Sequence, residues 1–207
     1  MSIPFYFVDP EKLPPPGGTA AQLGYGFEAD GALRLPQTPR AEALCVFDDR
    51  HLPEQPAPLD GLRPFLTHGV LLDFERAPTE QAERTAAALR RLCPPDAPFF
   101  APQRLSKGLA GAIPVVCPER MCNCWEELCA RLGARLGRPW ALELIPAERT
   151  CALPCRGKRH ISPALCVLED GRYFDTRATL RQKAEAAERS GCKAVFVLRQ
   201  DFARLKP

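Results

Sequence analysis

The sequence predicts an α/β fold: a compact (β/α)8 TIM-type barrel, with some helices shortened or missing. Three observations lead there. Eight short runs rich in apolar, β-branched or aromatic residues recur along the chain. Several are apolar on both faces, as buried parallel strands are. Helical patterns separate the later runs, and strand–helix alternation is the mark of parallel βαβ units. The length of 207 residues suits a small barrel, since such barrels start at about 200 residues. One domain spanning 1–207 is expected.

The predicted strands are IPFYFV (3–8), QLGYGF (22–27), ALCVF (43–47), GVLLDF (69–74), PFFAP (98–102), IPVVC (113–117), WALELI (140–145) and KAVFVL (193–198). After the fourth run, Thr79 is placed to cap a helix with Ala82, Ala86, Leu89 and Leu92 on one face. After the sixth, Cys122, Trp125, Cys129 and Leu132 form a helical stripe. Thr179 to Gln182 reads as a capping box opening a helix to about Ser190, with Gly191 as its stop. The segment 161–175, ISPALCVLEDGRYFD, reads as an inserted β-hairpin before the last helix and strand, two apolar runs around Glu-Asp-Gly. An open doubly wound sheet is the competing architecture, but no glycine-rich phosphate loop follows the first strand.

Composition narrows the function classes. A 45% hydrophobic share with 26% charged residues is ordinary for a globular protein, and the net charge is +3 with both signs scattered. No basic block interleaved with aromatics is present, which argues against a nucleic-acid partner. No apolar run is long enough to span a bilayer, and the N-terminus carries no charged leader or cleavage site. A cytoplasmic protein without membrane contact is expected, its ten cysteines reduced. The 23 prolines cluster between the periodic segments and punctuate loops. Neither oligomeric state nor a cofactor is indicated.

Chemistry in such a barrel collects at the C-terminal ends of the strands. The side chains there are Asp9, Asp48, Asp49, Asp73, Glu75, Gln103, Glu119, Glu143, Arg199 and Asp201. Asp73 and Glu75 stand out: two apart on a strand, they share a face. Glu75 follows a strongly apolar run, so partial desolvation is expected to raise its pKa and suit it to general-acid work. The competing reading is a pair of solvated strand-end acids. Asp48, Asp49, Gln103 and Glu143 are second-rank pocket residues.

HGVLLDFE (68–75) resembles the signature of the chitinase-like glycoside hydrolases of family 18, Asp-x-x-Asp-x-Asp-x-Glu at the end of the fourth barrel strand. The C-terminal stretch GRYFDTRATLRQKAEAAERSGCKAVFVL resembles the ending of the spore-cortex-hydrolase branch of that family. There an aromatic-acid pair closes a hairpin, a Ser/Thr opens a helix bearing a lysine, and a glycine turn feeds the last strand. The two regions cover about a quarter of the chain. The resemblance implies a bacterial (β/α)8 barrel acting on an N-acetylated glycan. Glu75 would protonate the glycosidic oxygen and Asp73 would orient the substrate's acetamido group as nucleophile, the substrate-assisted exception to the two-carboxylate scheme. Adjacent acids push their pKa values apart, as that chemistry requires. Three places depart from the family: His68 and Leu71 replace the first two motif acids, Cys117-Pro118-Glu119 replaces a Tyr-Asp pair, and Leu198 stands where a tryptophan floors the sugar site. The departures favour, as first alternative, an inactive barrel that binds a glycan or a protein.

The second alternative is a cysteine-rich metal protein. Cys117, Cys122, Cys124 and Cys129, with Cys151 and Cys155 later, come near tetrahedral zinc spacing without matching a zinc knuckle. Cys122 and Cys129 fit better as core positions of one helix face, and no metal site is expected; Cys151 and Cys155 remain open to metal or disulfide. Of the three histidines, His51, His68 and His160, none has a partner at helical metal spacing.

Overall fold

A computed structural model describes residues 3–55, 58–118, 125–137, 139–147, 155–156, 159–160, 166–169 and 172–207. The strands are β1 (Phe5–Asp9), β2 (Thr19–Phe27), β3 (Leu33–Arg34), β4 (Leu44–Asp48), β5 (Val70–Asp73), β6 (Phe99–Pro102), β7 (Ile113–Val116), β8 (Trp140–Glu143), β9 (Cys155–Arg156), β10 (Arg159–His160), β11 (Val167–Glu169), β12 (Arg172–Phe174) and β13 (Cys192–Leu198). The helices are α1 (Glu80–Leu92), α2 (Gln103–Ser106), α3 (Trp125–Leu136), α4 (Arg177–Arg189) and α5 (Arg199–Arg204), with a 3-10 helix at Asp60–Phe65. The eight predicted runs all carry strands in parallel pairing, β1, β2, β4 to β8 and β13. Parallel strands with intervening helices are the element pattern of a TIM-type (β/α)8 fold. The helices are uneven, as expected: β1 runs to β2 without one, and β2 reaches β4 through the two-residue strand β3.

The chain divides into two compact units, one of residues 6–115 and one of residues 1–5 and 116–207. In the first unit, the parallel pairings run β1–β2, β2–β4, β4–β5, β5–β6 and β6–β7, while β3 pairs antiparallel to β2. Burial explains the strand sequences. Leu44 to Phe47 and Val70 to Leu72 are buried on both faces, and each run ends at a half-buried aspartate. A continuous cluster from Tyr25 and Phe27 through Phe47, Leu72 and Phe99 to Ala112 forms the core of this unit.

Helix α1 follows its sequence. The Thr79 hydroxyl accepts a hydrogen bond from the Ala82 amide at 3.2 Å, and Ala82, Ala86 and Leu89 are buried. The inward face includes Thr85, and Leu92 is only partly covered. Gly69 enters β5 at φ +102°, and a Cβ there would lie 2.3 Å from the Pro98 carbonyl oxygen, so glycine is required on both counts.

In the second unit, β8 and β13 pair in parallel. Buried Trp125, Cys129 and Leu132 lie on α3 as the stripe predicts, while Cys122 falls outside the described residues. Gly133 lets α3 approach the end of α4 closely: a Cβ would sit 2.4 Å from the Ser190 carbonyl oxygen. The predicted cap of α4 is corrected by one turn. Thr176, not Thr179, is the N-cap, and the two threonines bond reciprocally, Thr179 N–H to Thr176 Oγ1 at 3.2 Å and Thr176 N–H to Thr179 Oγ1 at 2.8 Å. Two threonines three apart both satisfy a capping pattern; the extended backbone of Thr176 (φ −115°, ψ 171°) makes it the cap and leaves Thr179 inside the helix. Strands β11 and β12 pair antiparallel, Val167 opposite Phe174, within the segment expected to form a hairpin; 161–165 and 170–171 lie outside the described residues.

Candidate active site

The strand-end acids of the first unit converge. Asp48 ends β4 and Asp73 ends β5, and the two face each other in register. Asp48 has partners: the Arg34 guanidinium from β3 grips its Oδ2, and the Arg50 amide donates to Oδ1 at 3.1 Å. Gly26 makes room for that grip, since a Cβ there would stand 2.6 Å from the Arg34 guanidinium. Asp49 is buried, and its Oδ2 accepts the Arg76 amide at 2.9 Å, which ties the end of β4 to the loop after β5. Arg104, on α2, donates to the Phe74 carbonyl oxygen at 2.5 Å and pins the same loop from the other side. The backbone that carries Asp73 and Glu75 is thus held by an acid and an arginine from neighbouring strand ends.

Asp73 itself is half-buried, and among the described residues no hydrogen bond or ion pair engages its carboxyl. Burial pushes its pKa up from 3.8 to about 6, reinforced by the negative charges of Glu75, Asp48 and Asp49 and opposed by Arg50. Glu75, two residues beyond the end of β5, is exposed, while Phe74 between them is buried. The expectation of a desolvated Glu75 is therefore corrected: withdrawal from water falls on Asp73, because β5 ends there and the chain has turned into solvent two residues later.

The other predicted side chains distribute as follows. Gln103 opens α2 in the same unit, partly buried. Asp9 is spent on a turn, its Oδ1 accepting the amides of Glu11 and Lys12 at 2.8 and 2.6 Å. His51 and His68 are exposed. Glu143 belongs to the second unit, exposed at the end of β8, where Arg199 and Asp201 open α5. Glu119, Cys124 and Cys151 lie outside the described residues, as do the side chains of Cys155 and His160. Among the described residues, no three His, Cys, Asp or Glu side chains are grouped to hold a metal ion. Sequence reasoning missed Arg34 and Arg104. An arginine on a two-residue strand or a four-residue helix carries no periodic signal, and only the strand pairing brings either to the acids.

The second unit holds a different charged cluster. Lys183 on α4 and Asp175 just before it are sealed from solvent, with Nζ 2.8 and 2.9 Å from the two carboxylate oxygens. The Thr179 hydroxyl donates to Asp175 Oδ1 at 2.9 Å, and the Ala147 amide donates to Oδ2 at 2.8 Å. The Lys183 ammonium also stands 5.2 Å from the centre of the Trp125 ring, a cation–π distance. The Trp125 indole in turn donates to the Lys183 carbonyl oxygen at 2.9 Å.

Comparison with protein-family models, curated proteins and solved structures finds no match to this chain.

Proposed function

We propose that the chain is a compact, divergent (β/α)8 barrel of the chitinase-like kind that hydrolyses an N-acetylated glycan at its acid-lined strand ends. Glu75 is the proton donor and Asp73 its partner. The single observation behind this reading is the Asp73–Glu75 pair: one residue exposed to solvent, the other half-buried and its pKa raised to about 6 by burial and by the neighbouring acids. Two neighbouring carboxyls can divide proton-donor and carboxylate roles between them. The family's acid two residues before Asp73 is Leu71 here, but Asp48 stands in register across the sheet and supplies a negative charge from the side. In the substrate-assisted scheme, ionised Asp73 accepts the acetamido N–H and Glu75 protonates the leaving oxygen. Asp49 and Arg104 hold the loop in place, and Gln103 is a sugar-binding group.

The same observation favours one second reading, in which Asp73 itself is the acid. The two readings predict opposite pH limbs. If Asp73 must be ionised, hydrolysis falls as pH drops through about 6; if it must be protonated, hydrolysis falls as pH rises through about 6. The experiment is a panel of fluorogenic glycosides, including N-acetylglucosamine oligomers, read across pH with wild type, Glu75→Gln and Asp73→Asn. Turnover that collapses in Glu75→Gln and loses its acid limb in Asp73→Asn supports the first reading. No turnover on any substrate by a folded wild type overturns hydrolysis and leaves the glycan-binding or protein-binding barrel.

A further inference from the structure

We propose that Cys166 and Lys183 form a redox-controlled covalent link, a sulfenamide generated by hydrogen peroxide. Cys166 Sγ lies 3.6 Å from Lys183 Nζ and 3.8 Å from Asp175 Oδ1. Cys166 is partly exposed, whereas Lys183 and Asp175 are sealed. An oxidant can therefore reach the sulfur while the amine behind it is shielded from competing reagents. Cys45, Cys93, Cys129 and Cys192 are buried.

The chemistry balances in two steps. The Cys166 thiol ionises, its thiolate attacks one oxygen of the peroxide, the O–O bond breaks, and the departing hydroxide takes up the proton the thiol released and leaves as water. Sulfur is oxidised by two electrons to the sulfenic acid and the peroxide is reduced. The Lys183 ammonium then gives a proton to the adjoining Asp175 carboxylate, which frees the nitrogen lone pair. Nitrogen attacks sulfur, an S–N bond forms and the S–O bond breaks. The leaving hydroxide collects the proton held by Asp175 and departs as water. The remaining extra proton on nitrogen is released to solvent, so coupling of ammonium and sulfenic acid liberates one proton and one water. Asp175 is placed for this shuttle because it contacts both partners, and it returns to its ionised state at the end. Burial raises the Cys166 thiol above its ordinary value, with Lys183 pulling the other way, so the first step draws on a minor thiolate population.

The test treats the full chain with hydrogen peroxide, blocks remaining thiols by alkylation and maps the digested peptides by mass spectrometry. The expected result is a linked pair of peptides joining Cys166 to Lys183, lighter than their sum by two hydrogens. Dithiothreitol should reverse the link, and Cys166→Ser should lose it. Cys166 recovered as sulfinic acid with Lys183 free would overturn the proposal, as would Cys166 joined to another cysteine. A linked pair carrying an added oxygen would overturn the direct S–N bond. Cys166→Ser is a small change at a partly exposed position, and the wild-type map decides the question even without it.

Discussion

Asp73 and Asp175 are both withdrawn from water, and they differ in every other respect. Asp175 is fully sealed and saturated: an ammonium on both oxygens, a hydroxyl on one and a backbone amide on the other. Asp73 is half-buried and faces three other acids, with no hydrogen bond to its carboxyl among the described residues. A carboxylate with all its acceptor positions filled fixes local structure, here the approach to α4 and the placement of Ala147. A carboxylate left among like charges is a group whose protonation is poised to change. The comparison teaches that burial alone does not mark a reactive acid; burial without partners does.

The largest expected effect breaks the saturated side. Lys183→Met leaves Asp175 charged and buried without its cation, and should cost about 3–5 kcal/mol in denaturant unfolding. The double variant Lys183→Met/Asp175→Leu should recover part of that loss, because no isolated charge remains. Unchanged stability in the single variant would show that the ion pair does not hold this unit together. Next, Gly69→Ala meets both a positive φ and the Pro98 carbonyl, and should cost about 1–3 kcal/mol by the same measurement.

On the unsaturated side the effect is on proton affinity. The folded-state pKa of Asp73 lies above its unfolded value, so the folded state binds the proton more tightly. Its contribution therefore favours folding below about pH 4 and is lost as pH rises through about 6. Asp73→Asn should flatten that segment of the stability-versus-pH curve and raise the unfolding midpoint at pH 7. A midpoint that falls instead would mean the carboxylate has a stabilising partner. Asp48→Asn removes one of the charges that raise Asp73, and should shift the Asp73 carboxyl titration, followed by carbon-13 NMR, to lower pH. The smallest effect is a control. Arg189→Ala breaks the pair with Glu126, whose side chains are 62% and 69% exposed, and should change stability by less than about 1 kcal/mol.

How much of this was legible in the sequence follows from the range of the forces involved. The eight parallel strands were legible as short apolar runs; where a strand is buried on both faces, as at Leu44–Phe47 and Val70–Leu72, the run is continuously apolar. Helix α1 was readable from its cap and its period. The start of α4 lies three residues earlier than the sequence predicts, since Thr176 and Thr179 are locally equivalent as caps and only the extended backbone at Thr176 separates them. The pairing of Asp73 and Glu75 on one face is a pleat argument, and β5 ends at Asp73, one residue before the alternation would have to continue.

The sequence by itself determined the alternation of strands and helices, the apolar interiors and the pairing of two acids at the end of β5, because each depends on neighbours within a few residues. Only the tertiary structure decided which of those acids is desolvated, that Arg34 pairs with Asp48, and that Lys183, Asp175 and Cys166 meet. Those outcomes depend on groups brought together from distant or differently shaped stretches of chain. Desolvation and Coulomb interaction act through space, and no spacing along the chain encodes them.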